Sequence, residues 1–293
     1  MTTLTSNLSL TENITTIIRP PYFYISGFIG IPHIKYYYVF LSLVYIITLV
    51  GNTIIMVVIC MARILHSPMY IAVFNLAFTD ICESTALVPK LLDMFLFDRQ
   101  YISYDQCLLN LFFVVIFHFM QSFNLTILSY DRLVAICCPL RYHMLVNHRS
   151  MFQLTGAAWV LAVFIILIFV GLITRLSFCG SVEINSYFCD PYPLYSLAAP
   201  CSDVLPTHDR HRAIKTCTSH LILVAIFYLP ISIINIFSFM PTNMRIINFS
   251  LTSVLPPMLN PIIYVLKTEE FKVSIKRLLR RGAQRAVGTV KST

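Results

Sequence analysis

The sequence CLLNLFFVVIFHFMQSFNLTILSYDRLVAIC, residues 107–137, determines the class of fold. Its first part, residues 107–130, contains no Asp, Glu, Lys or Arg, and Asp131 and Arg132 follow at once. A bilayer core about 30 Å thick requires roughly 20 apolar residues at helical rise. This stretch therefore predicts a transmembrane helix with a charged pair at one end.

Other stretches of the chain have the same character. Four of them also lack charged side chains: residues 36–62, 151–174, 216–244 and 246–266. Residues 71–96 are as apolar but contain acids, including Asp80. Acids within a span usually face the interior of a bundle, so this stretch is also predicted to be a helix. The chain is thus predicted to be an all-α membrane protein with a bundle at 36–266.

Composition supports a membrane protein and excludes several other classes. The 293 residues are 57% hydrophobic and only 12% charged, with a mean hydropathy of +0.76, whereas soluble proteins carry about a quarter charged residues. We find no catalytic motif and no spacing typical of a metal site, so no enzyme and no cofactor are expected. The net charge of +8 lies beside the spans rather than on a soluble face, so nucleic acid is not an expected partner.

The amino-terminal tail, residues 1–35, is predicted to be extracellular. It is polar, contains prolines and lacks the short apolar run of a signal peptide. Asn7 and Asn13 each begin a glycosylation sequon. Two sequons on one flexible tail favour an extracellular position.

Basic residues predict that the carboxyl-terminal end of the chain lies on the cytoplasmic side. Fifteen of the 21 Lys and Arg residues lie at 63, at 132–149, at 210–215 and at 267–291. Such residues concentrate on the cytoplasmic side of membrane proteins. Residues 267–293 are therefore a predicted cytoplasmic tail, and 269–281 alternate apolar and basic residues as a helix lying on membrane lipid does.

These two orientations disagree with the number of spans. An extracellular amino terminus followed by six crossings would leave the basic tail outside. After residues 151–174 comes a polar loop with three cysteines that ends at Cys201, and the next basic run begins at Arg210. Only residues 202–209 separate the two, and a helix of that length covers about 12 Å. One crossing is therefore predicted to be missing at this place.

An ordered set of motifs resembles odorant receptors of the rhodopsin-like G-protein-coupled superfamily. The set begins with Gly51-Asn52 and Pro68-Met69-Tyr70 and continues through Asp131-Arg132. The remaining motifs are Lys215-Thr216-Cys217-Thr218-Ser219-His220, Phe227-Tyr228-Leu229-Pro230 and Pro256-Pro257-Met258-Leu259-Asn260-Pro261-Ile262-Ile263-Tyr264. The double proline and the Phe-Tyr-x-Pro element look more like the fish-like class. The resemblance spans residues 20–280 except for one gap.

This resemblance implies seven helices, a small odorant as ligand, and an olfactory stimulatory G protein as partner at the plasma membrane. Family members carry roughly 35 more residues in the gap, enough for one helix. The fifth helix is thus predicted to be missing. Four cysteines face the oxidising side and allow three pairings. The resemblance implies that Cys107 pairs with Cys189 and Cys179 with Cys201.

The resemblance also implies the residues of activation. Arg132 is expected to be held by Asp131 in the inactive state and to meet the G protein when the cytoplasmic side opens. Asn260, Pro261 and Tyr264 are expected to form the kink at which the last helix rearranges. Simple contact of Arg132 with lipid headgroups and a plain proline kink are the structural alternatives.

Asp80 is expected to form half of a sodium or proton site, with Asn52 and Asn260 nearby. A hydrogen-bonded packing role is the alternative for this acid. The family usually has Glu eleven positions before the arginine, and Gln121 stands there. A cation would find one carboxylate fewer.

A mostly apolar odorant pocket is expected within the bundle. Its expected lining residues are Val114, Val115, His118, Ser122, Tyr228, Ile231 and Asn235. Each could equally be ordinary packing between helices. An absent fifth helix would remove one wall of this pocket and part of the G-protein contact.

Two alternatives remain at the level of the sequence. The chain could be a truncated receptor or pseudogene product that does not signal because its fifth helix is missing. A six-span transporter or channel is the more remote alternative, because we find no internal repeat and no polar path along a pore.

Overall fold

The computed structural model describes residues 19–27, 33–97, 99–176, 178, 181–198, 242–267 and 269–290. Its helices are α1 Ile34–Met61, α2 Met69–Leu96, α3 Tyr104–Cys137, α4 Tyr142–Leu145, α5 His148–Ile173, α6 Pro191–Ala198, α7 Thr242–Lys267 and α8 Glu269–Val290. Its strands are β1 Tyr22–Ile25, β2 Tyr101–Ser103 and β3 Glu183–Ile184. Short 3-10 turns lie at Arg63–Leu65 and Pro139–Arg141.

Four of the described helices are long and apolar enough to cross a membrane, namely α1, α2, α3 and α5. A helix satisfies its backbone hydrogen bonds internally, and this is required in a membrane because lipid offers the backbone no hydrogen-bond partner. The prediction of an all-α membrane protein is therefore confirmed. The predicted span 216–244 lies outside the described residues except for its last three, which belong to α7. The predicted boundary at Arg245 between 216–244 and 246–266 is wrong, because one arginine near a helix end does not interrupt the helix.

Polar residues set where the long helices begin. The Ser103 side chain accepts a hydrogen bond from the backbone N–H of Gln106 at the start of α3. Asn147 and Ser150 form a reciprocal capping box at the start of α5. Such caps satisfy N–H groups that have no partner within the helix. Both helices consequently begin three residues before the apolar spans at 107–130 and 151–174.

A small sheet closes one end of the bundle, which we call the sheet end. Its strand order is β2-β1-β3, with β1 antiparallel to β2 and parallel to β3. β1 lies in the amino-terminal tail, β2 precedes α3, and β3 follows α5. The expectation of a flexible tail up to residue 35 is therefore wrong for 22–25. These residues pair because the sheet buries Phe23 and Ile25 completely.

Helix α7 runs from the sheet end to the opposite end, which we call the Arg132 end. Near its start, Ile246 packs in one cluster with Tyr187 and Phe188, which follow β3. Beyond its end, Phe271 of α8 is 1% exposed and packs with Leu65 of the turn between α1 and α2. Helix α8 continues to residue 290, beyond the predicted end at 281.

Gly51 permits a close approach between α1 and α7. A Cβ atom at Gly51 would lie 2.9 Å from Cβ and 3.0 Å from Cγ of Pro261. The proline ring is bonded to its own backbone and cannot rotate away. The motif residues Gly51 and Pro261 thus form one packing contact.

We expect Gly51→Ala to lower the stability of the bundle by about 1–3 kcal/mol, the usual cost of overpacking. Thermal unfolding of purified protein in detergent measures this loss. Gly156→Ala and Gly171→Ala are the matched controls, because within the described part of the chain no atom other than the neighbouring backbone of α5 lies within 4 Å of a Cβ at either position. An unchanged melting temperature for Gly51→Ala would contradict the contact.

Candidate functional site

A ladder of polar pairs joins α2 and α3 inside the bundle. Nε2 of Gln121 donates to Oδ1 of Asp80 at 2.9 Å. One turn nearer the sheet end, Nδ1 of His118 lies 2.7 Å from Oε1 of Glu83. Asp80 and Glu83 are both 0% exposed. Because buried polar groups require partners, these pairs fix the register of the two helices.

The ladder continues toward the Arg132 end and includes α5. Nδ2 of Asn75 donates to Oδ1 of Asn124 at 2.7 Å. Asn124 donates in turn to Oγ1 of Thr79 at 3.3 Å. Nε1 of Trp159 donates to Oδ1 of Asn75 at 3.1 Å. Asn75 therefore links three of the membrane-spanning helices.

Asp80 also connects this ladder to α7. Nδ2 of Asn260 donates to Oδ2 of Asp80 at 2.8 Å. The predicted partner Asn52 donates instead to the carbonyls of Thr48 at 3.1 Å and Pro257 at 2.9 Å. Oδ1 of Asn52 is buried and has no hydrogen-bond partner among the residues that the structure describes. The structure thus brings Asn260 and Gln121, but not the amide of Asn52, into contact with the carboxylate.

A second polar cluster lies at the Arg132 end. Asp131 is 1% exposed, and its Oδ1 accepts a hydrogen bond of 2.8 Å from the hydroxyl of Tyr142. Nε of Arg132 lies 3.9 Å from Oδ2 of Asp131. Nη2 of Arg132 contacts the sulfur of Met69 at 2.7 Å. The arginine therefore touches α2 while its neighbour Asp131 is held by the loop helix α4.

We expect Tyr142→Phe to destabilise this end by about 1–3 kcal/mol, because Asp131 loses a donor in a buried position. Thermal unfolding of the variant beside Tyr130→Phe, an exposed tyrosine of α3, measures the loss. A variant that melts like the wild type would show that the hydrogen bond contributes nothing.

The pH dependence of this effect follows from the tyrosine. Burial first, and then the hydrogen bond to Asp131 and its negative charge, raise the pKa of Tyr142 from 10.0 to about 12. Because the folded-state pKa is raised, the stability that the protonated Tyr142 hydroxyl contributes is complete below pH 10 and is lost as pH rises toward 12. We therefore expect a constant difference between wild type and Tyr142→Phe from about pH 6 to 9.

The expected ligand residues are only partly described. Val114 is 3% exposed within a hydrophobic cluster, and Val115 is partly buried. His118 binds Glu83, and Oγ of Ser122 donates to the carbonyl of His118 at 3.4 Å. The other expected lining residues, Tyr228, Ile231 and Asn235, lie outside the described residues. One cavity of about 620 Å³ opens between α2 and α3, but Cys82, Lys90 and Asn110 line it with other residues and none of the expected ones.

The structure contains a disulfide between Cys107 and Cys189. It joins the first turn of α3 to the segment after β3, as the resemblance implies. Cys179, Cys201, Asn7 and Asn13 lie outside the described residues, and so does the side chain of Tyr264. Their expected roles stay predictions.

Sequence reasoning missed Glu83 and Tyr142 as partners of site residues. A signal for Glu83 was present. Glu83 follows Asp80 by three positions, and His118 precedes Gln121 by three, which is the relation that two antiparallel helices require. Tyr142 carries no such signal, because a loop decides its position.

Comparison with known proteins gives one consistent family. A family model described as "Olfactory receptor" matches residues 41–206 and 203–281. Olfactory receptor 4E2 of Mus musculus is 34% identical over 280 residues, covering 84% of this chain and 90% of the relative. Olfactory receptor 12D3 of Homo sapiens is 32% identical over 314 residues, covering 92% of this chain and 96% of the relative.

Family membership agrees with the apolar helices, the Cys107–Cys189 disulfide and the motif residues at both ends of the bundle. These relatives are membrane receptors and not enzymes, so the expected absence of an enzyme activity agrees with the family. The chain belongs to the olfactory receptor family of G-protein-coupled receptors.

Proposed function

We propose that this chain is built to bind a small odorant within the bundle and to activate an olfactory stimulatory G protein. One observation carries the proposal. The Asp80 carboxylate holds Gln121 of α3 and Asn260 of α7, and Pro261 follows directly. Pro261 lies inside α7 and removes one backbone hydrogen bond there, so a helix tied to α3 through Asp80 can bend at this point and transmit a ligand-dependent shift of α3 to the Arg132 end.

The sheet end is proposed to be extracellular and the Arg132 end cytoplasmic, in the plasma membrane. The disulfide at the sheet end supports this, because disulfides persist in oxidising compartments. The exposed basic residues of α8 at the other end fit the positive-inside rule. Lipid headgroups would then lie beside α8, and the G protein would meet Arg132.

The chain as it stands is proposed to lack the fifth helix of the family. Segment α6 lies at the sheet end, and α7 begins at the same end. In a seven-helix receptor two crossings fall in the sequence between these two elements, which here is 199–241. Two helices of roughly 20 residues would need nearly all of that segment, yet 203–215 include Asp203, Asp209, Arg210, Arg212 and Lys215.

Alignment lengths support the same proposal. The alignment to mouse 4E2 has 280 positions but covers 84% of 293 residues, which is about 246. About 34 positions of that alignment thus have no residue in this chain, enough for the roughly 20 residues of a membrane helix. The two segments of the family match meet at 203–206. That junction lies where the sequence predicts the missing crossing.

The junction of the two matched segments at 203–206, where a helix is proposed to be missing, favours a second candidate function. This candidate is a truncated receptor that does not signal. Without the fifth helix, one wall of the pocket formed by Val114, Val115, His118 and Ser122 is missing. The sodium or proton site at Asp80 stays a proposal for either candidate. A transporter is no longer a candidate, since the chain belongs to a receptor family.

Tags at the two ends of the chain test the proposed topology. We expect an amino-terminal tag to be stained on intact cells and a carboxyl-terminal tag to be stained only after permeabilisation, because the described helices α1, α2, α3, α5 and α7 make an odd number of crossings and α8 contacts the Arg132 end. An intact relative tagged at the same places is the control. Staining of both tags on intact cells would establish six crossings and exclude G-protein coupling through Arg132.

A further inference from the structure

We propose that a cavity between α1, α2 and α5 binds one anionic phospholipid of the membrane at the Arg132 end. The cavity has a volume of about 430 Å³, within the range of ligand sites. Its apolar walls come from all three helices and the turn after α1. The residues of these walls are Ile59, Leu65, Tyr70, Ile71, Phe74 and Phe152.

The walls indicate an acyl chain as the occupant. Leu65 and Tyr70 form the buried floor, at 0% and 2% exposure, whereas Phe152 is 65% exposed on the outer surface of α5. The cavity is therefore open on the side of the bundle that faces the bilayer. Apolar cavities do not hold water, and hydrocarbon from a neighbouring lipid buries the same surface favourably.

The rim of the cavity indicates a headgroup with negative charge. His66, Ser67 and His148 line the cavity at the Arg132 end. Exposed Arg63 precedes this group in the turn after α1, and exposed Arg149 follows His148 in the first turn of α5. Basic pockets between membrane helices bind the headgroups of anionic lipids.

Nearby acids leave this rim positive. Glu270 accepts a hydrogen bond of 3.1 Å from the hydroxyl of Tyr70, on the α8 side of the cavity. Asp131 is buried and bonded to Tyr142. Arg132 offsets the charge of Asp131, since its Nε lies 3.9 Å from Oδ2 of that acid, so Glu270 alone is set against Arg63 and Arg149. The net positive charge fits an anionic phospholipid better than a zwitterionic one.

The rim is also held in place before any lipid arrives. Nε2 of His66 lies 3.0 Å from the carbonyl oxygen of Ile59, which folds the turn back over α1. The capping box of Asn147 and Ser150 fixes the start of α5 beside it. A preorganised site loses less entropy on binding.

Trp159 reports on this site because it is the single tryptophan of the chain. Its Nε1 donates to Asn75, the neighbour of the wall residue Phe74. Bromine on a lipid acyl chain quenches tryptophan fluorescence at short range. The full chain is placed in nanodiscs of phosphatidylcholine with increasing fractions of either brominated phosphatidylserine or brominated phosphatidylcholine.

We expect half-maximal quenching at a several-fold lower fraction of brominated phosphatidylserine than of brominated phosphatidylcholine. The double variant Arg63→Gln/Arg149→Gln should remove this difference. Arg99→Gln at the sheet end is the matched control and should keep it. Ile71→Phe, which fills the cavity, should weaken quenching by both lipids while far-ultraviolet circular dichroism stays unchanged.

Two results would overturn the proposal. Identical quenching curves for the two lipids in the wild type would mean that only unselective boundary lipid surrounds the cavity. A preference for phosphatidylserine that survives Arg63→Gln/Arg149→Gln would place its origin elsewhere, for example on the basic face of α8. Neither result depends on odorant binding or G-protein coupling.

Discussion

Insertion of a fifth helix from an intact relative at the junction 203–206 is expected to turn an unresponsive chain into one that raises cyclic AMP with odorant. The reason is geometric. Helix α6 lies at the sheet end and α7 begins there, and the chain between them has too few apolar residues for two crossings. The inserted helix supplies the missing crossing, one wall of the pocket and part of the G-protein contact.

Cyclic AMP in cells that express the olfactory G protein measures this gain, with a mixture of small apolar odorants as stimulus. Basal cyclic AMP gives a second readout that requires no known ligand. A Gly/Ser-rich insert of equal length should not restore signalling, because it cannot span a membrane. Arg132→Ala in the restored chain should abolish the response. If the natural chain already responded to odorant, the fifth helix would not be needed.

Cys107→Ser is expected to remove most of the folded protein from the cell surface. The disulfide closes 82 residues of sequence, and a loop of that size contributes about 4 kcal/mol through the unfolded state. Globular proteins keep only about 5–15 kcal/mol of net stability. The bond also holds Tyr187 and Phe188, which are 2% and 4% exposed between the helices at the sheet end.

We expect the ratio of surface to total protein, measured with an amino-terminal tag, to fall by about tenfold or more. Cys60→Ser is the control, because Cys60 is a free, exposed cysteine. The double variant Cys107→Ser/Cys189→Ser should behave like the single one, since both lack the same bond. Wild-type surface levels for Cys107→Ser would show that packing of Tyr187 and Phe188 suffices without it.

Most of the architecture could be predicted from local patterns. Long apolar stretches predict helices because lipid leaves the backbone no other partner, and α1, α2, α3 and α5 lie on those stretches. Helix ends were less accurate. The predicted boundary at Arg245 is one example, since this residue lies within α7, and a single charge near a helix end leaves the backbone hydrogen bonds intact.

The site was only partly predictable. Asp80 was identified because an acid within an apolar helix needs a partner. Of the two asparagines expected nearby, Asn260 donates to its carboxylate, whereas Asn52 binds the carbonyls of Thr48 and Pro257. Glu83 was not distinguished from the other charged residues of 71–96 by the sequence alone. The pairing of Asp131 with Tyr142 depends on how the loop after α3 folds back.

Hydropathy, charge and motif order were enough to assign a membrane bundle and its charged end and to predict a missing crossing at 202–209, because each follows from the cost of placing polar groups in lipid. Packing alone decided which atoms meet. It placed β1 of the tail beside β2 and β3, tied α2 to α3 and α7 through Asp80, and opened the cavity beside Phe152. Such contacts join residues far apart in the chain, and their register depends on the shapes of several helices at once.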